Sequence, residues 1–332
     1  TKGYSVSNNF KIYGGASVGA IINSSTTSGS TISGTVTLDT AAATLGGAGT
    51  LILSAVVNDN AKGIAFIGSG NFTLGNSLNS IATIATIGGP SSIGSLTIVD
   101  NTNLTIGSVT VNSVAYTGIK SSGAVSITAT ASSTASAAIT STVATSATGN
   151  VSFIATSTTG NGIDYSGASG TINGAAVTLT GTSTTGIAVK ATGVITANSL
   201  TVTGTSTTAA TVVSLGAITI NTGDISVTGN NSASGTNTGI TQTGTITDNA
   251  SGGNISFISN NDITQSGAIT IAANNSGNAS TILYDNRYGD KTSVLTIGTL
   301  TNTGSTSPVN YSILASGGAI DPVVSVSGYI VL

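Results

Sequence analysis

The segment AVTLTGTSTTGIAVKATGVITAN, residues 176–198, holds one complete turn of a repeating pattern. Val177 and Leu179 alternate in it with Thr178 and Thr180, which places the aliphatic side chains on one face of a strand and the hydroxyls on the other. The same opening recurs from Ala124, Asn150, Ser199, Asp224 and Asn254, so that successive starts lie 26, 26, 23, 25 and 30 residues apart. A second landmark, a Gly two residues before an Ile, falls at Gly170, Gly193, Gly216, Gly244 and Gly267, at intervals of 23, 23, 28 and 23. Two independent landmarks that keep step mark a structural repeat and not a chance likeness of low-complexity sequence.

Each repeat reads as three short strands separated by corners. The first corner nearly copies itself as Ala155-Thr-Ser-Thr-Thr-Gly160, Gly181-Thr-Ser-Thr-Thr-Gly186 and Gly204-Thr-Ser-Thr-Thr-Ala209. Ser and Thr there can bond backbone groups that a corner removes from a ladder. The pattern predicts second strands that begin at Ile163, Ile187, Ala210, Ile240 and Ile263, and third strands that carry Ile172, Ile195, Ile218, Ile246 and Ile269. Asn198, Asn221 and Asn249 follow three residues beyond their Ile anchors, where stacked amides could bond from rung to rung or simply satisfy left-handed turn geometry. Gln242 and Gln265 sit two residues after an expected inward Ile, at positions that neighbouring rungs fill with Tyr165 and Val189. Either they form a buried amide ladder or the strand slips by one residue and turns them to water; their occurrence in successive rungs favours the ladder.

Three strands per rung that return to the same register predict an all-β fold, a right-handed parallel β-helix with about 25 residues per rung. A sandwich would need hairpin dipeptides such as Asn-Gly or Asp-Gly, which are scarce here. One elongated domain spanning 1–332 is expected, with irregular rungs or a cap over 1–120, regular rungs over 121–275, and C-terminal rungs, a cap or a subunit contact over 276–332. Strand candidates in the looser first part include Val36-Leu38, Leu51-Leu53, Phe72-Leu74, Leu96-Ile98, Leu104-Ile106 and Val109-Val111.

Composition narrows the chemistry. Only 5 % of the residues are charged, all ten acids are Asp, and His, Cys, Met and Trp are absent. The 39 % hydrophobic content and a mean hydropathy of +0.38 argue against disorder, which goes with few aliphatics and much charge. The net charge is −3, and the seven cations are scattered, so the clustered Lys and Arg that bind phosphate are missing and nucleic acid is not expected as a partner. No run reaches the ~18–20 apolar residues of a membrane span. The absence of Cys is compatible with export, and the opening at Thr1, without Met or a leader, reads as a mature or excised segment.

The rungs between about 124 and 272, with their Gly-x-Ile-Thr strands and Thr-Gly or Asn-rich corners, resemble the β-helical repeats of filamentous-haemagglutinin-like exoproteins and autotransporter passengers. The resemblance implies a right-handed parallel β-helix outside a bacterial cell, used as an adhesive or scaffolding rod. The family's amino-terminal secretion module is not evident in this sequence.

Without His or Cys the usual general base and thiolate nucleophile are missing, and the sequence assigns no catalytic or cofactor-binding residue. The densest polar group is Tyr284-Asp285-Asn286-Arg287-Tyr288-Gly289-Asp290-Lys291. Its oxygens on Asp285, Asn286 and Asp290 are candidate calcium ligands, its charges could serve a polysaccharide-cleaving site, and its plainest reading is a solvated loop or subunit contact. Interface candidates are Tyr4, Val6, Phe10 and Tyr13 at one end, Tyr284, Arg287 and Tyr288 in the polar group, and Tyr329 and Val331 at the other end. The expected function is a non-enzymatic, secreted structural rod or self-assembling surface filament that associates end to end or with other surface components, with host or matrix glycans as further partners. A carbohydrate-binding or carbohydrate-cleaving helix is the alternative. An ice-binding face built on Thr178/Thr180 and Thr201/Thr203 is a third reading, interrupted at Ile154 and Ile258.

Overall fold

The structure, a computed structural model, describes residues 4–15, 19–86, 92–131, 136–167, 169–232, 237–271, 280–286, 295–303, 309–314, 320–322, 326–327 and 330–331. Parallel strands stack into a β-solenoid whose rungs lie about 26 residues apart. In the regular part each rung has three strands, as in Val151–Ser157, Ile163–Tyr165 and the start of Ile172–Ser183. The first and third strands of each rung belong to one long parallel sheet and the second strands to another. Two third strands run without a break into the next first strand, as Ile172–Ser183 and Ile195–Ser206.

Register is continuous, and it creates the core. One inward row runs Val6, Ile32, Leu53, Leu74, Ile98, Ile127, Phe153, Leu179, Val202, Val227, Phe257, Tyr284 and Ile313, each paired with the next. Because strands alternate faces, the residues between these point outward. Where an aromatic side chain occupies the row it meets a second aromatic across the lumen or in the next rung: Phe153 lies 5.7 Å from Tyr165, and Phe257 lies 5.2 Å from Tyr284, both pairs near parallel. The expected loosening toward the amino terminus is a change of rung size and not a loss of stacking. The register partners Thr31, Ile52, Thr73, Thr97 and Ser126 fall 21, 21, 24 and 29 residues apart.

The repeated corner motif and the Gly landmark both have steric explanations. Ser157, Ser183 and Ser206 are stacked, buried corner residues. Each hydroxyl accepts the amide of the residue three positions on, from Gly160, Gly186 and Ala209 at 3.0, 2.9 and 3.1 Å. Ser183 also donates to Gly160 O at 2.7 Å in the rung before. Ile163 pairs with Val189 and Val189 with Val213; Ile187 and Ala210 belong to the corner, two residues before the strand Val189–Ala191 and one before the strand Thr211–Leu215. At the Gly landmark a Cβ on Gly193 would sit 1.9 Å from Gly170 O, and one on Gly267 would sit 1.8 Å from Gly244 O. Successive backbones approach too closely there for any side chain.

One segment departs from the solenoid wall. Ser108–Val111 and Val114–Thr117 form an antiparallel hairpin turned by Asn112 and Ser113, both at positive φ. Val109-Val111, expected as a rung strand, instead packs with Tyr116 onto Ala42, Ala65 and Ala85, which lie on the outer side of the second sheet. Those alanines would otherwise leave an apolar patch in water, and the hairpin covers it.

Replacing Phe153 by Ala removes a fully buried ring from the continuous row and is expected to cost about 3–5 kcal/mol, whereas Thr178→Ala on the outer face stays within about 0.5 kcal/mol. Denaturant unfolding of the two variants, followed by far-UV circular dichroism, checks the contrast.

Candidate functional site

The polar group near residue 284 divides between the core and residues outside the described set. Tyr284 is fully buried, contrary to its reading as a surface contact, because the alternation of Ser280–Asp285 turns it inward opposite Phe257. Asp285 and Asn286 are also buried, so they do not lie in the solvated loop or subunit contact that was the plainest expectation, while their calcium reading also involves Asp290, outside the described residues. Arg287, Tyr288, Asp290, Lys291 and Tyr329 lie outside the described residues; Val331 is the last residue of a terminal strand. Among the described residues no group of three or more His, Cys, Asp or Glu could hold a metal ion.

What Tyr284 does instead is complete an amide ladder. Its hydroxyl donates to Gln265 Oε1 at 2.9 Å, which also accepts Gly298 N at 3.0 Å. Gln265 Nε2 donates to Gln242 Oε1 at 3.3 Å and to Gly267 O, and Gln242 Nε2 donates to Gly216 O at 3.1 Å and to Gly244 O. Both glutamines are fully buried, and each amide oxygen and nitrogen has a partner, so the ladder expectation holds; the strand does carry a register shift between Thr238 and Ile240, but Gln242 stays paired with Gln265 and faces inward. The row that contains them is Tyr165, Ala191, Leu215, Gln242, Gln265 and Ile297, with Ala191 in the place expected for Val189. Asn198 and Asn221 are exposed, and the bonds that tie their rungs together run between backbone groups, Asn221 N to Ala197 O and Gly223 N to Asn198 O.

Three buried carboxyl groups were not singled out from sequence. Asp59 accepts amides from Ala61, Ala82, Gly63 and Thr83, and Asp100 accepts Ile81 N and both the amide and the hydroxyl of Thr102. Burial outweighs these donors, raising the pKa of Asp59 and pushing that of Asp100 up to about 6. Asp248 replaces an aliphatic residue in an inward row, between Ile220 and Ile271. One of its oxygens accepts Ala250 N at 2.8 Å, while Oδ2 is buried without a partner. Burial, with a smaller contribution from Asp224, pushes this carboxyl up to about 6 as well. The signal was present: in Leu96-Thr-Ile-Val-Asp100 and Ile246-Thr-Asp248, strict alternation points the Asp inward.

Two surfaces remain for recognition. On the outer face of the first strands, stacked rows bring Thr178, Thr180 and Thr182 beside Thr201, Thr203 and Thr205, then Ser226, Thr228 and Asn230. The three stacked rows themselves are uncharged, with the exposed Asp224 at their edge beside Ser226, and Ile154, 43 % exposed, breaks the middle row. Lys190 and Asp164, paired at 3.3 Å, lie on the second strands and not on this face. The other surface is the amino-terminal end, where Tyr4, Val6 and Tyr13 are exposed and Phe10 is half-buried.

The raised carboxyls have a definite pH consequence. A folded-state pKa of about 6 against 3.8 means that the folded protein holds the proton more tightly than the unfolded chain. The resulting stabilisation is full below about pH 4 and is lost as pH rises through about 6, amounting to at most about 3 kcal/mol per group. Thermal midpoints are therefore expected to fall between pH 4 and 6.5. Asp248→Asn should match the parent at pH 4, exceed it at pH 7.5 and show a shallower slope between, as measured by calorimetry.

No family model, no curated protein and no solved structure matches this chain, so its architecture rests on its own register, rows and corners.

Proposed function

We propose that this protein is a non-enzymatic structural rod, a stretch of an adhesive or scaffolding β-solenoid or the subunit of a surface filament, working outside a bacterial cell. The observation that carries the reading is the uninterrupted parallel register, from Ser5–Val6 at one end to Ile330–Val331 at the other. A chain that devotes successive rungs of about 26 residues to the same stacking contact makes length and stiffness its product. The buried polar side chains support it further. Asp59 is held by backbone donors and Asp100 by backbone donors and the Thr102 hydroxyl in the interior, and the Gln242, Gln265 and Tyr284 ladder finds its partners within the stack, an arrangement that supports a structural role for them. The resemblance of the rungs to filamentous-haemagglutinin-like exoproteins and autotransporter passengers supports the extracellular and bacterial part of the reading.

A second reading, carbohydrate binding, is favoured by the uncharged hydroxyl and methyl rows around Thr178, Thr201 and Ser226. Flat neutral faces of this kind suit a neutral polysaccharide better than an acidic one. Immunogold electron microscopy of the source cells tests the first reading, with label expected on surface rods or filaments; label confined to the cell interior overturns it. A glycan array with turnover assays tests the second, where retention by neutral glycans without cleavage is expected if the Thr face binds sugar, and is lost in Thr180→Lys/Thr203→Lys.

A further inference from the structure

We infer that the corner formed by residues 221–224 and 249–253 is a calcium site, which binds the ion through Asp248, Asp224 and backbone carbonyl oxygens of two successive rungs. In Ile172–Ser183 and Ile195–Ser206 the wall passes this corner as unbroken strand. In the next two rungs it opens into loops, 221–224 between Ile218–Ile220 and Ile225–Asn231, and 249–253 between Ile246–Asp248 and Asn254–Ser259. Asp224 ends the first loop and Asp248 leads into the second. The observation that points to a ligand is an oxygen left over. Asp248 is 1 % exposed, its Oδ1 accepts Ala250 N at 2.8 Å, and its Oδ2 is buried with no donor among the described residues. The other two buried carboxyls differ, since both oxygens of Asp59 and of Asp100 accept hydrogen bonds.

The backbone shows where that oxygen is aimed. A Cβ built on Gly253 would lie 2.9 Å from Asp248 Oδ2 and 2.9 Å from Gly223 O, so oxygens of adjacent rungs converge beside a residue that has no side chain. Asp224 brings a second carboxylate to the same corner. Its Oδ1 accepts Asn254 N at 2.8 Å and Asn254 Nδ2 at 3.2 Å across the rungs, and its charge is felt at Asp248. No basic side chain of these rungs offsets the pair, because residues 191–286 contain neither Lys nor Arg. A bound cation supplies the missing charge and ties one rung to the next. The donors select the ion. All are oxygens, two of them carboxylates, set in irregular loops; Ca²⁺ accepts about six to eight such ligands at roughly 2.3–2.6 Å in flexible geometry, whereas Mg²⁺ demands a near-ideal octahedron. Asp224 and Ser251 are exposed, so the corner is open to the water ligands that complete the shell. With only two carboxylates the affinity belongs to the weak end of calcium sites, a Kd of about 0.1–1 mM.

The experiment is equilibrium dialysis of the purified 332-residue chain, stripped with EDTA, against radioactive calcium at neutral pH, with thermal midpoints measured in parallel. One ion per chain is expected, together with a midpoint raised by about 2–4 °C at about ten times the Kd. Asp248→Asn should weaken binding at least about tenfold and lose the rise in midpoint. In EDTA the same variant is expected to be the more stable protein at this pH, so a lost response is not a failure to fold. Asp224→Asn, at an exposed position, keeps an oxygen for Asn254 and is the second variant, with the same expected loss of binding. Magnesium at equal concentration should raise the midpoint less than calcium does. No bound calcium in the parent, or an equal response to magnesium, overturns the inference. Binding that survives either substitution places the ion elsewhere and overturns it as well.

Discussion

The constraint on which the rest of this structure depends is the backbone ladder between rungs. Parallel hydrogen bonds hold successive turns a strand separation apart, and they form only if each rung superimposes on the last. Every buried position therefore has a counterpart directly above and below it, and side chains must be compatible along the rod before they are compatible across it. The inward row from Val6 to Ile313 meets this demand with aliphatic and aromatic residues. The Gly170, Gly193, Gly216, Gly244 and Gly267 column meets it by having no side chain at all where backbones crowd.

The same stacking decides how polar groups are tolerated inside. A lone glutamine in an isoleucine row would be costly, but Gln242 and Gln265 in adjacent rungs satisfy each other, and Tyr284 closes the upper end of the pair. Ser157, Ser183 and Ser206 turn a corner hydroxyl into a ladder by the same logic. Asp248 is the exception. It stands between two isoleucines with one oxygen unpaired, and its environment prefers the proton to the charge. Asp59 and Asp100 show the milder form of this tension, with several backbone donors offsetting part of the cost of burial.

For function, the architecture divides the surface by kind. The first-strand face is rich in hydroxyls along the stacked Thr178, Thr201 and Ser226 rows, with the exposed Asp224 at its edge. The amino-terminal end, by contrast, exposes Tyr4, Val6 and Tyr13.

By itself the sequence determined the repeat length, the three-strand rung and the inward and outward assignment within first strands, because these follow from a period of two within strands and a rung period of about 26 between them, and it favoured the glutamine ladder over a slipped strand without deciding it. The sequence placed the second strand at Ile163 correctly, while the starts at Val189 and Thr211 came only from the register of the stack. Tertiary structure also decided that Val109 and Val111 leave the wall to cover outward alanines, and that Tyr284 in a run of polar residues faces the lumen. Those outcomes are set by contacts between residues far apart in the chain, which alternation cannot place until the register of the stack has brought them together.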